Sequence, residues 1–92
     1  MFQGKTSSGF EFVVEDENIA EDAEFLEVLA EIMGGDGLKI FSALDKFIGK
    51  EQKAALYDHV RDESGHVSVT DVSNEFVEIF TQLSEGNSAT KN

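Results

Sequence analysis

The sequence predicts an α+β fold that is mostly α, with an N-terminal β-hairpin followed by a small bundle of about four helices. Apolar and polar residues alternate near the N terminus, which is typical of a half-buried strand. From residue 21 onwards, apolar residues recur every three or four positions, which is typical of helices that face a core. The 92 residues suffice for one small domain, which we expect to span residues 1–84.

The predicted hairpin pairs residues 2–5 with residues 10–14. The stretch FEFVV (10–14) starts with Phe10 and Phe12 on either side of Glu11. The residues before it, TSSG, favour a turn. Because an isolated hairpin is barely stable, we expect this one to pack on the helices.

The first predicted helix covers residues 21–33, with Asp16 or Asn18 capping a turn before it. Its apolar residues share one wide face, and three glutamates form an acidic ridge on the opposite side. The face contains Phe25, Val28, Leu29 and Ile32, widened by Leu26 and Met33, and the ridge contains Glu24, Glu27 and Glu31. The ridge is either a solvated surface or a charged patch that meets a basic partner.

Three more helices are predicted at 38–48, 50–60 and about 70–84. The stretch GGDG (34–37) separates the first two helices, and Gly49 suits a left-handed cap between the second and third. Ser68 or Thr70 suits the N-cap of the last helix. The face of 38–48 is wider than a peripheral helix needs, so this helix is either central or partly exposed to a partner. The polar stretch 85–92 is expected to be disordered.

The charge of the chain excludes some classes of partner. Nineteen acidic residues outnumber seven basic ones, which gives a formal net charge of −12. Nucleic acids and anionic membranes attract basic surfaces, so neither is an expected partner. The N terminus lacks the apolar core of a signal peptide, and the chain has no cysteine, which fits a reducing cytosol.

The loop DHVRDESGHVSV (58–69) resembles part of an EF-hand calcium loop. If Gly65 takes the sixth position, Val60 takes the first and offers no side-chain oxygen, while Asp71 takes the twelfth with a shorter arm than glutamate. A turn in which Gly65 adopts a positive φ explains the sequence better. A degenerate calcium-binding module is the competing interpretation.

No motif indicates catalysis, a cofactor or a metal. The two histidines, His59 and His66, lie seven residues apart without thiols or a specific carboxylate pattern around them, so we expect both on the surface. The chain has no nucleophile elbow, phosphate-binding loop or zinc-protease motif. We therefore expect a protein that is not an enzyme and holds no cofactor.

Three stretches together resemble the tail assembly chaperones of long-tailed (siphovirus) bacteriophages of Gram-positive bacteria. They are SSGFEFVVEDENIAEDAEFLEVLAEI, GKEQKAALYDHVRDESGHV and VSNEFVEIF, within residues 6–83. The chain departs from the family pattern at His66, where arginine is expected, and near Ser68, where a proline is expected. Neither departure touches the predicted core.

The resemblance implies a role in building the virus tail. Such chaperones coat the long, helical, aggregation-prone tape-measure protein in the host cytoplasm. Tail tube protein then displaces them, and the mature virion lacks them. The resemblance therefore implies tape-measure protein and tail tube protein as partners, besides a possible homo-oligomer.

Composition suggests how such a chaperone would hold its client, the protein that it keeps soluble. Eight phenylalanines make the helices rich in apolar surface, and the negative charge would keep loaded complexes apart. An amphipathic client helix would lie in a groove between apolar faces. The predicted client-binding residues are Phe25, Leu29, Ile40, Phe41, Leu44, Phe47, Phe76 and Phe80. The acidic composition also fits a mimic of DNA that blocks a nucleic-acid-binding protein, and the small size also fits a structural dimeric domain without a client.

Overall fold

The computed structural model describes the backbone of residues 1–90 and the side chains of residues 1–85. Within these residues, an N-terminal hairpin is followed by three α-helices, one of which is broken in its middle. The predicted class, α+β and mostly α with a hairpin before a helical bundle, is confirmed. Residues 86–90 are described by their backbone alone, and residues 91–92 lie outside the description. The predicted disorder of residues 85–92 therefore stays a prediction.

The hairpin forms where the alternating pattern predicts it. Strands β1 (Phe2–Lys5) and β2 (Glu11–Val14) are antiparallel, with Phe2 opposite Val14 and Lys5 opposite Glu11. Gly9 takes a φ of 97° in the turn, a conformation that glycine adopts without a steric penalty. Phe12 and Val14 of β2 point into the core, so the hairpin packs on the helices as expected.

Helix α1 (Ala23–Met33) starts two residues later than predicted because Asp22 is its N-cap. The Asp22 side chain accepts a hydrogen bond from the backbone N–H of Phe25 at 2.9 Å, which satisfies one of the free donors of the first turn. A short 3₁₀ helix, Glu17–Glu21, precedes it, with Asp16 as its capping residue.

Helix α2 (Ile40–Val60) contains the second and third predicted helices, which meet at Gly49. Gly49 has φ 84° and ψ 164°, so the backbone leaves the helical conformation there and resumes it at once. The break was predicted correctly, whereas the left-handed cap was not, because ψ is extended. A 3₁₀ segment, Gly37–Lys39, replaces the first turn of the predicted helix.

Helix α3 (Val69–Thr90) begins close to its predicted start. The hydroxyl of Ser68 accepts from the backbone N–H of Asp71 at 3.3 Å, so Ser68 is the capping residue of the two that were predicted. The helix backbone continues past residue 84, where the apolar pattern ends.

Strand β2 and all three α-helices supply buried side chains to one core. Strand β1 contributes the half-buried Phe2, which packs against that core. Helix α2 is central, because α1, α3 and β2 all pack against it. The buried apolar side chains are Phe10, Phe12, Val14, Phe25, Ile40, Ala43, Leu44, Phe47, Ile48, Leu56, Val72, Phe76, Ile79 and Leu83.

Candidate functional site: an exposed apolar strip on the first helix

Most of the predicted client-binding residues lie in the core instead of on a surface. Five of the eight are at most 3% exposed, and three are half-buried. A client could reach the five only if the domain opened, so they do not form a docking groove in this conformation. The five are Phe25, Ile40, Leu44, Phe47 and Phe76, and the three are Leu29, Phe41 and Phe80.

Four phenylalanine rings from the three helices pack together in this core. The ring centroid of Phe25 lies 5.2 Å from that of Phe47 and 6.2 Å from that of Phe80. Phe76 lies 5.6 Å from Phe47 in an edge-to-face arrangement. Aromatic pairs at such distances stabilise a core beyond their burial alone. The wide apolar face of 38–48 is therefore used by the chain's own interior.

Exposed apolar side chains occur on α3, at Val69 and Val77, and on α1, where they share one face. Leu26 is 43% exposed and Met33 is 81% exposed. At 100° per residue, Leu26, Ala30 and Met33 fall within an arc of about 60°, beside half-buried Leu29. We call these three residues the α1 strip. Leu38, which is 71% exposed, follows in the 3₁₀ segment that packs against α1.

The sequence shows the apolar residues of this strip, but it did not predict that they would be exposed. Leu26 and Met33 widened the apolar face of the first helix beyond what one contact surface needs. The first half of α2 has an equally wide apolar face. The sequence alone does not say which of the two faces other elements of the fold will cover.

The acidic ridge borders the α1 strip on the solvent side. Glu24, Glu27 and Glu31 are all exposed. Glu31 forms an ion pair with Lys39 at 3.2 Å, and this hydrogen bond and charge raise the pKa of Lys39 above its usual value. Glu24 and Glu27 make no ion pair within the described part of the chain. The first helix thus presents apolar and negatively charged surface side by side.

Hydrogen bonds within residues 62–66 hold the loop that resembles a calcium site in a tight turn. One carboxylate oxygen of Asp62 accepts from the backbone N–H groups of Ser64 (2.9 Å) and His66 (3.0 Å) and from the Ser64 hydroxyl (2.7 Å). Gly65 has a φ of 93°, as the turn interpretation predicted. Among the described residues, no three histidine or carboxylate side chains are grouped as a metal ion would require.

The tip of the hairpin forms a second polar cluster, which the sequence did not predict. Buried Glu75 accepts from the hydroxyls of Thr6 at 2.8 Å and Ser8 at 2.9 Å. The Ser8 hydroxyl also lies 3.1 Å from Nε2 of His59. In a hydrolytic triad the acid orients the histidine, whereas here it holds the serine directly. The cluster fastens the turn to α2 and α3 across more than 50 residues of sequence, so no local pattern could reveal it.

No family model matches this chain, and neither the curated proteins nor the solved structures include a significant match. In the described part of the chain, no helix combines the length and apolar character needed to cross a membrane.

Proposed function

We propose that this protein is a phage tail assembly chaperone that binds the tape-measure protein and keeps it soluble until tail tube protein assembles around it. In this proposal it acts in the host cytoplasm and is absent from the mature virion. The observation that carries the proposal is the α1 strip, an uncovered apolar surface on a chain with a net charge of −12. The sequence resemblance described above supplies the identity of the client.

The combination of surfaces suits a protein that holds another chain in solution. Exposed Met33 and Leu26 offer flexible apolar contacts, and methionine adapts to partners of irregular shape. The surrounding negative charge keeps loaded complexes apart. Each contact would be modest, but many copies aligned along one long client would hold it firmly.

The proposed contact surface differs from the one expected from sequence. The five buried residues of the predicted groove form part of the hydrophobic core, so we do not propose that they contact the client. Leu29 remains in the proposed surface, because it is half-buried beside the α1 strip. Phe41 and Phe80 are half-buried elsewhere and stay predictions.

Coexpression with the tape-measure protein of the same phage tests the proposal. The wild-type chain should keep the client in the soluble fraction, whereas a Leu26→Asp, Met33→Asp double variant should leave it in the pellet. Ala55→Asp, which places a charge at an exposed position on α2, is the matched control and should behave as wild type. Circular dichroism of each variant establishes that it is folded.

Two results would contradict the proposal. One is a client that is equally soluble without the chain. The other is a pulldown from infected cells that recovers a nucleic-acid-binding protein instead of tape-measure and tube proteins, which would favour an acidic mimic of DNA.

A further inference from the structure

The α1 strip is long enough for about two turns of a partner helix. Leu26 and Met33 are seven residues apart, so the strip runs about 10 Å along the helix axis. Leu38 is exposed in the 3₁₀ segment that packs against α1. A partner helix with apolar residues at positions i, i+4 and i+7 would present an apolar stripe of the same length to the strip.

The charges beside the strip indicate the chemistry of the partner. Glu24 and Glu27 carry no ion pair within the described residues, and Glu31 shares its charge only with Lys39. A helix that lies along the strip would bring its flanking residues close to this ridge. Lysine or arginine at those flanks would complement the ridge, whereas acidic flanks would be repelled.

A second copy of the chain fits this surface poorly. Each copy carries a formal charge of −12, and packing α1 against α1 would bring two acidic ridges together. Like charges placed together in an interface disfavour association. Charge complementarity therefore favours a basic partner over self-association.

We propose that the α1 strip and the acidic ridge together form a docking site for an amphipathic helix whose apolar stripe is flanked by lysine or arginine. The proposal deepens the proposed function and rests on it for the identity of the client, since it names the class of tape-measure segment that would bind. The strip supplies the contact area, and the ridge selects the charge of the segment and aligns it.

Two synthetic peptide helices test the proposal with the full chain. Both carry the same apolar stripe, but one has lysine flanks and the other has glutamate flanks. In NMR titrations of isotope-labelled protein, the lysine peptide should shift amide signals mainly in residues 24–38. It should bind more weakly as salt is added, and the glutamate peptide should not bind.

Variants separate the contributions of the strip and the ridge. Met33→Asp and Glu27→Lys should each weaken binding of the lysine peptide by about tenfold or more, whereas Ala55→Asp should leave it unchanged. Both substituted residues are exposed, so the fold should survive, and the amide spectrum of the free variant checks this.

Three outcomes would overturn the proposal: no binding of the lysine peptide, equal binding of both peptides, or shifts centred outside residues 24–38. A stable dimer in sedimentation that Met33→Asp dissociates would also overturn it, in favour of a second copy. Failure of the proposed function is distinguishable, because the lysine peptide would then bind while the tape-measure protein stays insoluble with the wild-type chain.

Discussion

The side-chain amide of Gln52 pairs with both backbone polar groups of Val13. Its oxygen accepts from the Val13 N–H at 2.7 Å, and its nitrogen donates to the Val13 carbonyl at 2.6 Å. The same nitrogen donates to the carbonyl of Ile48 at 2.8 Å, next to the break at Gly49. One side chain thus takes the place of a neighbouring strand for β2 and fastens the hairpin to the broken helix.

We expect Gln52→Glu to destabilise the fold by about 1–3 kcal/mol, because a carboxylate cannot donate to the carbonyls of Val13 and Ile48. Urea denaturation measures the change. Gln3→Glu is the matched control, since Gln3 lies opposite Val13 on β1 and is exposed. Equal losses in the two variants would show that added negative charge, and not the lost hydrogen bonds, causes the effect.

The break in α2 depends on the backbone conformation of Gly49. Its φ of 84° and ψ of 164° fall in a region that is essentially restricted to glycine. A Cβ there would meet no atom of another part of the chain within 4 Å, so any cost comes from the local backbone conformation. We therefore expect Gly49→Ala to lower the free energy of unfolding by about 1–3 kcal/mol, measured in urea.

Gly37→Ala provides the comparison for Gly49→Ala. Gly37 also has open space around it, but its φ is not in the positive region. This substitution should be neutral or slightly stabilising. If the two variants were equally stable, the break would not require glycine.

Gly4 leaves no room for a side chain, because strand β1 lies close to the core at this position. A Cβ on Gly4 would lie 2.6 Å from the ring of Phe12 and 2.6 Å from the side-chain oxygen of Gln82. The Gln82 side chain can move, but the Phe12 ring is only 2% exposed. We expect Gly4→Ala to destabilise the fold by about 1–3 kcal/mol through overpacking.

A double-mutant cycle separates overpacking from a loss of strand pairing. Phe12→Leu removes the ring that the new methyl group would strike. The cost of Gly4→Ala should therefore be smaller in the Phe12→Leu background than in the wild type. An unchanged cost would place the strain elsewhere.

The sequence predicted those elements that depend on local chemistry. The hairpin followed from the alternation around Phe10 and Phe12, and the break in α2 followed from Gly49. Asp16 and Ser68 were each one of two expected caps, and both act as caps. Helix starts were less accurate, because Asp22 acts as a cap instead of a first-turn residue.

The sequence could not predict which wide apolar face the fold would cover. Helix α1 and the first half of α2 both carry a wide apolar face in the sequence. Helix α2 packs against α1, α3 and β2, whereas α1 packs mainly against α2 and two 3₁₀ segments. The covered face became the core around Phe47, and the uncovered one became the α1 strip. This difference depends on tertiary arrangement, as does the bond between Thr6 and Glu75, 69 residues apart.

The closed geometry of the loop at 60–71 predicts that it does not respond to calcium. One carboxylate oxygen of Asp62, Oδ1, already accepts three hydrogen bonds from within the loop, and Val60 offers no side-chain ligand. Amide signals of residues 60–71 should stay unchanged when calcium is raised to about 10⁻³ M, the weak end of known EF-hand affinities. Saturable shifts at micromolar calcium would contradict this and favour a calcium-binding module.

The same loop predicts a specific dependence on pH. The hydrogen bond from the Ser64 hydroxyl, followed by that from the His66 N–H, lowers the pKa of Asp62 below its usual value. Because the pKa of Asp62 is lower in the folded than in the unfolded chain, the ionised carboxylate favours folding above the unfolded pKa. That contribution to stability is lost as pH falls through the folded pKa.

We expect Ser64→Ala to move the pKa of Asp62 back toward its usual value, measured by carbon-detected NMR of the carboxyl group. Ser73→Ala on α3 is the control and should leave it unchanged. If Ser64→Ala also left the pKa unchanged, the hydroxyl would not be the main cause, and the backbone N–H groups alone would hold the carboxylate in its ionised form.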